Sequence, residues 1–328
     1  MNKAALAQKY KDLNKEIPHG LSSVDKAKEK AAIKKDLSQV SELLDKYYTK
    51  PAVAEKCYTE MVNLLKQKID VSKLLFIEPS AGAGAFLDVI KEPKKGFDIA
   101  PTKESLHLIV PHDFLVDDLS PYLLGHEKES IVFIGNPPFG VKGGLALSFL
   151  NQSFVYGEMV GFIVPLQFRK WSIQSKVLPT ARMVLDLDLP ESAFDFMGKD
   201  YAVRCCFQLW VTSSLFSDLA DLRIKNKPPT THPDFEMYQY NRTAVAEKYF
   251  DYDWDFAVPR QGYLDYSFKS FRKEDCNKKQ QWIFFKAKNK KALEKLLKID
   301  FVSLSKKNIG TPGFGKADVV DLYLKTGI

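Results

Sequence analysis

Six short apolar runs punctuate the middle of the chain: LLFIE (74–78), GFDI (96–99), IVFIG (131–135), VGFIV (160–164), VLDLDL (184–189) and FQLWV (207–211). Segments of helical period lie between most of them. The first, third and fourth runs are almost continuously apolar, the pattern of strands covered on both faces. Such strands alternating with helices predict a doubly wound, mostly parallel α/β sheet. The spacing tightens to strand–loop–strand at the end of the series, which predicts a terminal antiparallel hairpin.

The flanks differ from this core. Residues 22–46 show one apolar stripe (Ile33, Leu37, Val40, Leu44), with Ser22 and Asp25 resembling a capping start. In YYTKPAVAEKCYTEMVNLL, Thr49 and Pro51 stand where a cap and an early helical proline belong. Ala54, Cys57, Tyr58, Met61, Val62 and Leu65 then line one face. Beyond residue 217 the chain turns proline-rich (225–242), and 249–285 is crowded with aromatic residues. These shifts predict a helical extension at 1–46, a catalytic domain at 47–216 and an appended substrate-binding element at 217–328. Most rings of 249–285 are expected to form a small core.

Charge follows the same division. The net charge of +7 is uneven: residues 1–50 carry 11 Lys+Arg against 7 Asp+Glu, residues 217–328 carry 21 against 15, and residues 51–216 carry 16 against 19. Basic margins around a non-basic centre suit a polyanionic partner, although lysines such as those of KAKEKAAIKK (26–35) also simply solvate a helix face. The four cysteines (Cys57, Cys205, Cys206, Cys276) have no CxxC spacing, so neither a disulfide framework nor a metal site is expected. The lysine-rich start lacks an apolar leader and no run reaches membrane-spanning length. A reducing cytosol, or a nucleoid or nuclear location, fits these features.

Residues 76–87, FIEPSAGAGAFL, place a buried strand, a tight turn with Gly82 and Gly84, and a helix start near Phe86 in succession. In open α/β sheets, ligands bind in the crevice at such carboxyl ends. Phe86 stands where a dinucleotide fingerprint would carry a third glycine, so strand–turn–helix context is what raises this GxG above background. Asp98 ends the next strand about 20 residues on, where a carboxylate can accept ribose hydroxyls. Ile99 follows it. Asp113, beside Phe114, follows the region where a third strand should end. Either aspartate alone would read as a turn residue; in sequence after successive strands they read as cofactor ligands.

IVFIGNPPFG (131–140) carries the fourth core strand into the same crevice. Pro137 and Pro138 fix two φ angles and remove two backbone donors. Asn136 offers an amide oxygen and Pro137 a carbonyl with no N–H beside it. Together they can hold one NH₂ group, while Phe139 can stack on a flat heterocycle. The exocyclic amine of adenine poses that problem, because its lone pair is delocalised into the ring. Two acceptors outside the ring's ideal planar geometry favour a pyramidal nitrogen, so positioning and electrostatics supply the acceleration. Taken alone, the prolines would read as a rigid turn after a strand.

These motifs resemble those of the S-adenosylmethionine-dependent amino-methyltransferases, most closely the N6-adenine enzymes with γ-type motif order. The resemblance covers about residues 47–212: YYTKPAVAEKCY, FIEPSAGAGAFL, Asp98, Asp113-Phe114, NPPF, VGFIVPLQFRK and VLDLDLPESAFDF…VRCCFQLWV follow the family's order. It implies a Rossmann-like fold and S-adenosylmethionine as cofactor. It implies that Thr49 and Pro51 border the methionine moiety, and that Glu78, Ala81, Gly82, Gly84, Asp98, Ile99, Asp113, Phe114 and Asn136 line the cofactor. Asn136, Pro137, Pro138 and Phe139 would form the catalytic tetrapeptide. The implied reaction is methylation of adenine N6 in DNA, in a stand-alone, restriction or phage enzyme. RNA adenine is the alternative, and protein glutamine is a third.

A base inside a duplex must be flipped out to reach such a crevice. GVKGGLAL (140–147) is expected to be a mobile loop with Lys142 on a phosphate, or else a plain glycine linker. In QFRKW (167–171), Phe168 or Trp171 would wedge or stack, and Arg169 and Lys170 would meet phosphates, unless the aromatics are core. Lys278 and Lys279, with the lysines at 286, 288, 290 and 291, are further candidates for polyanion contact. GTPGFGKAD (310–318) lacks the GK[ST] of a phosphate-binding P-loop.

Overall fold

A computed structural model describes residues 48–101, 107–196, 199–201, 203–263, 265–306 and 312–326. The helix expected at 22–46, and with it the proposed extension at 1–46, lies outside the described residues. In chain order the regular elements are β1 (Tyr48–Thr49), α1 (Pro51–Leu65), β2 (Leu75–Glu78), α2 (Ala85–Val89), β3 (Lys94–Asp98), β4 (Ile109–Pro111) and β5 (Ile131–Gly135). There follow α3 (Gly144–Tyr156), β6 (Met159–Pro165), α4 (Trp171–Gln174), β7 (Arg182–Asp188), β8 (Phe194–Phe196), β9 (Lys199–Tyr201) and β10 (Cys205–Val211). The remainder holds β11 (Phe235–Tyr240), β12 (Phe256–Gln261), β13 (Gln281–Ala287), α5 (Lys290–Leu297), α6 (Phe301–Ser305) and α7 (Lys316–Lys325).

Seven strands form one sheet in the order β4-β3-β2-β5-β6-β10-β7. The β4/β3, β3/β2, β2/β5 and β5/β6 pairs are parallel, and β10/β7 is antiparallel. All six apolar runs fall on its strands, and the terminal hairpin is present. Strand order reverses beside β2, which puts the ligand crevice of such a sheet at the carboxyl ends of β2 and its neighbours. This is the Rossmann-like class I methyltransferase fold. Every residue of β2, β5, β6 and β10 is buried, as two-sided cover requires.

Contacts divide the chain into two compact units. One takes the described residues up to Ile163 with Glu191–Ala202 and Ser213–Phe216; the other takes Val164–Pro190, Val203–Thr212 and those from Ser217 on. In the first unit, α1 starts with Pro51 at its first turn and buries Ala54, Cys57, Tyr58, Met61, Val62 and Leu65, the expected face. Phe114 packs on Phe133 and Phe149, with ring centroids 5.6 and 5.3 Å away. Thr49 is not a helix cap: it is a strand residue opposite Phe194 on β8, and the cap position falls to Lys50. Strand pairing with β8, invisible to local pattern, overrode the capping preference.

In the second unit β11, β13 and β12 form an antiparallel three-stranded sheet with β13 in the middle. Side chains alternate across it. Ile283 and Phe285 face a core with Leu296, Phe301, Leu304, Phe314, Val319 and Tyr323. Trp282 and Phe284 face another with Tyr240, Phe250, Ala257 and Cys276. The aromatic-rich segment is thus mostly core, as expected, with Tyr252 and Phe271 exposed. Each buried Phe contributes roughly 1.5–3 kcal/mol. The described part of GTPGFGKAD closes this core: Phe314 is buried, its N–H donates to the Arg260 carbonyl (3.1 Å), and Gly313 bridges to Gln261. Among the described residues no helix is long and apolar enough to cross a membrane.

Candidate active site

The turn after β2 closes on its neighbour β3 through two short bonds and on itself through a third. Ala81 N–H donates to the Phe97 carbonyl (2.8 Å), Gly82 N–H to Asp98 Oδ2 (2.8 Å), and Gly84 N–H to the Ala81 carbonyl (2.6 Å). Gly82 and Gly84 have φ of +54° and +87°, where a Cβ is costly. Gly84 is also the residue that enters α2. Asp98 Oδ1 accepts from Ala100 N–H at 2.8 Å. The carboxylate expected to hold ribose therefore first clamps the glycine turn to the end of β3, with each oxygen using one acceptor position. Ile99, next to it, is 72% exposed and offers an apolar face at the strand end.

Glu78 ends β2 in the interior, 2% exposed. Its Oε2 accepts from Leu87 N–H (3.2 Å), and its Cγ lies 3.3 Å from where a Gly135 Cβ would stand. Burial drives its carboxyl well above the usual carboxylate range, with the Asp98 and Asp88 charges adding to the rise. A buried acid between the glycine turn and the end of β5 is thus harder to ionise than an ordinary carboxyl.

The second motif meets the first here. Ser80 Oγ donates to the Asn136 carbonyl at 3.3 Å, joining PSAGAG to NPPF. Pro137 is buried, and Asn136, Pro138 and Phe139 are half-buried. The Phe139 ring meets Phe194 edge-on, 6.2 Å between centroids. Phe194 pairs across strands with Thr49, and Lys50 N–H donates to the Ala193 carbonyl at 3.1 Å. Tyr48 completes the circuit: its Cε1 lies 3.5 Å from a Cβ built on Gly82. Segments 48–51, 78–84, 98–99, 136–139 and 194 are therefore one constellation at the carboxyl ends of β2, β3 and β5.

Tyr48, Ser80 and Phe194 were not read from the sequence as site residues. Tyr48 and Ser80 lie inside quoted motifs, so position beside Thr49 and Gly82 was an available signal. Phe194 also lies inside a quoted motif, VLDLDLPESAFDF, but its place beside Thr49 comes from pairing with β1. Asp113 and Phe114 divide their roles. Asp113 builds its own turn, with N–H to Asp117 Oδ2 (2.8 Å) and Oδ1 accepting from Leu115 N–H (3.1 Å). The Phe114 ring is 1% exposed within the core, so it is not a stacking surface for a bound ring.

The expected loop 140–147 is shorter than its glycines suggest, because α3 starts at Gly144. Gly140 takes φ +63°, and a Cβ there would stand 2.7 Å from Leu145 Cβ, so this glycine is a close-packing residue. Lys142 is exposed, in the left-handed region at φ +55°.

In the second unit, Arg169 corrects the expectation of a phosphate ligand. Its Nε and Nη2 grip Asp186 (2.8 and 2.9 Å) and its Nη1 binds Asp188 (2.7 Å), so two carboxylates neutralise it. Phe168 is core rather than wedge, at 0% exposed. Lys170 and Trp171 are half-buried, and Lys227 Nζ lies 5.8 Å over the Trp171 ring. Lys278 pairs with Glu247 at 2.9 Å, whereas Lys279 is exposed, its backbone N–H donating to Asn277 Oδ1 (2.8 Å).

No protein-family model and no curated protein matches this chain. Several solved structures are similar in part, among them the following three. The 23S rRNA methyltransferase ErmE is 13% identical with a TM-score of 0.35, over 51% of this chain and 70% of that one. A type I restriction-modification methyltransferase subunit from Streptococcus thermophilus is 12% identical (TM-score 0.38), over 51% of this chain and 45% of its own. A Listeria monocytogenes protein described as a class I S-adenosylmethionine-dependent methyltransferase is 16% identical (TM-score 0.38), over 56% and 64%. The chain spans less than two thirds of the listerial protein and less than half of the streptococcal one. The assignment of fold class rests on strand order.

Proposed function

We propose that the protein is an S-adenosylmethionine-dependent methyltransferase acting on the N6 amine of adenine in DNA. The Ser80–Asn136 contact carries the reading, because it joins the glycine turn to NPPF at the carboxyl edge of the sheet. The residues fit the cofactor. Left-handed Gly82 and Gly84 leave the turn without Cβ atoms, half-buried Asp98 retains acceptor positions for ribose hydroxyls, and exposed Ile99 offers a face to a purine. Burial pushes the Glu78 carboxyl well above the usual carboxylate range, which disfavours a second negative charge beside Asp98.

When bound, S-adenosylmethionine supplies an electrophilic methyl group. On the protein side, the Asn136 amide oxygen and Pro137 carbonyl accept the two amine hydrogens, and the Phe139 ring packs on the base. Pro137 and Pro138 hold the acceptors rigid, so reorganisation at the moment of reaction is small. No strong base is needed, since the nitrogen sheds its proton only after alkylation has made it acidic. Residues 217–328 serve as the substrate-binding element in this reading.

The test incubates the protein with methyl-labelled S-adenosylmethionine and, separately, duplex DNA, single-stranded DNA, RNA and protein extract, followed by digestion and identification of the labelled product. N6-methyladenine from DNA is the expected outcome. The same nucleoside from RNA alone replaces the substrate, and label confined to protein refutes the nucleic-acid reading.

A further inference from the structure

Three of the half-buried arginines in the second unit, Arg169, Arg223 and Arg260, dispose of their charge in different ways. Arg169 is neutralised by Asp186 and Asp188. Arg223 is saturated by carbonyls: Nη1 donates to Leu178, Pro179 and Ala181, and Nη2 to Gln174 and Val177. Arg260, at the end of β12, has neither arrangement. Its Nη1 donates to two neutral amide oxygens, Asn241 Oδ1 (2.9 Å) and Gln281 Oε1 (2.6 Å). Its Nε is buried with no hydrogen-bond partner, and among the described residues no carboxylate pairs with it. Asp318 acts on it only at a distance, and burial lowers its pKa.

Other cations of residues 217–328 are paired: Lys273 with Asp251, Lys278 with Glu247, Lys286 with Asp253, Lys288 with Glu236 and Arg272 with Asp275. The two amides come from the strands flanking that end of the sheet. Asn241 follows β11 and Gln281 opens β13, opposite Gln261. Exposed Arg242 and Lys279 sit on the adjoining turns, one and two residues from those amides. A guanidinium held by amides through Nη1, flanked by two further cations and lacking a carboxylate, suits a phosphodiester oxygen.

We infer that Arg260, oriented by Asn241 and Gln281 and flanked by Arg242 and Lys279, binds the phosphate backbone of the nucleic-acid substrate. This deepens, and rests on, the nucleic-acid reading above. DNA and RNA share that backbone, so the experiment includes both.

The experiment measures fluorescence anisotropy of labelled duplex DNA, single-stranded DNA and RNA with the full chain, from roughly 50 to 200 mM salt. Arg260→Gln and Asn241→Asp are the variants. The second keeps the side-chain shape but gives Arg260 an internal carboxylate, so it should retain or raise the thermal midpoint. Each should weaken binding at least about tenfold and lower the salt slope by about one. Wild-type affinity and slope in both folded variants would overturn the inference. Failure of the wild type to bind any nucleic acid would overturn both the inference and the proposed function. Methyl transfer measured in parallel separates the two: Arg260-dependent binding with label only on protein sinks the function and leaves the site.

Discussion

The carboxyl edge of the seven-stranded sheet and the β11–β13 end of the small sheet are both polar clusters, assembled in opposite ways. At the first, the proposed site residues sit at or just after strand ends, and short turns close the cluster. Asp98 reaches Gly82, 16 residues away, and Ala100, two away. At the second, Asn241, Arg260 and Gln281 meet because three strands pair, with 19 and 21 residues between the bonded partners. The first kind of site leaves a motif in the chain. The second leaves scattered polar residues that look like ordinary surface.

The largest expected effect tests whether the small sheet stands on its aromatic core. Phe284→Ala, at a fully buried position meeting Phe250 and Trp254, should cost about 3–5 kcal/mol in chemical denaturation. A loss under about 1 kcal/mol would mean that the strands are held by something else. At the large sheet's edge, Asn136→Ala should lower kcat by about 10²–10³-fold, equivalent to about 2.7–4 kcal/mol, while S-adenosylmethionine affinity by calorimetry stays nearly unchanged. Activity surviving the change would remove Asn136 from the catalytic role.

Backbone closure gives a smaller effect. Gly140→Ala must accept φ +63° and a Cβ 2.7 Å from that of Leu145, and about 1–3 kcal/mol of stability should be lost. A neutral result would show that the turn relaxes freely. In the second unit the Asn289 side chain caps α5 by accepting from Ala292 N–H at 2.9 Å, and Asn289→Ala should cost about 1 kcal/mol.

The last prediction concerns pH. Folding raises the Glu78 pKa above its ordinary 4.5, so above that pH the folded state keeps a proton that the unfolded chain releases. Stability therefore falls as pH rises from about 4.5 towards the folded pKa. Glu78→Gln removes this dependence. Its melting temperature relative to wild type should climb from pH 5 to pH 8, and parallel profiles would show that Glu78 is not held protonated.

Much of the large sheet was readable because its strands are local and fully covered. LLFIE, IVFIG and VGFIV announce burial on both faces, and FIEPSAGAGAFL and NPPFG mark where two of those strands end. The positions of Asn136, Gly82 and Asp98 at strand ends and turns were legible for the same reason. Thr49 was misread as a cap because its strand partner, Phe194, lies far along the chain. Arg169 was misread as a phosphate ligand because nothing local shows that Asp186 and Asp188 will face it.

Sequence alone determined the order of strands and turns and the residue types at the strand ends, since hydrophobic period, glycine and proline act within a few residues. Tertiary structure alone decided which charges remain unsatisfied. Whether an arginine meets carboxylates, carbonyls or amides depends on strands brought together by pairing and burial, and that separates Arg169 from Arg260.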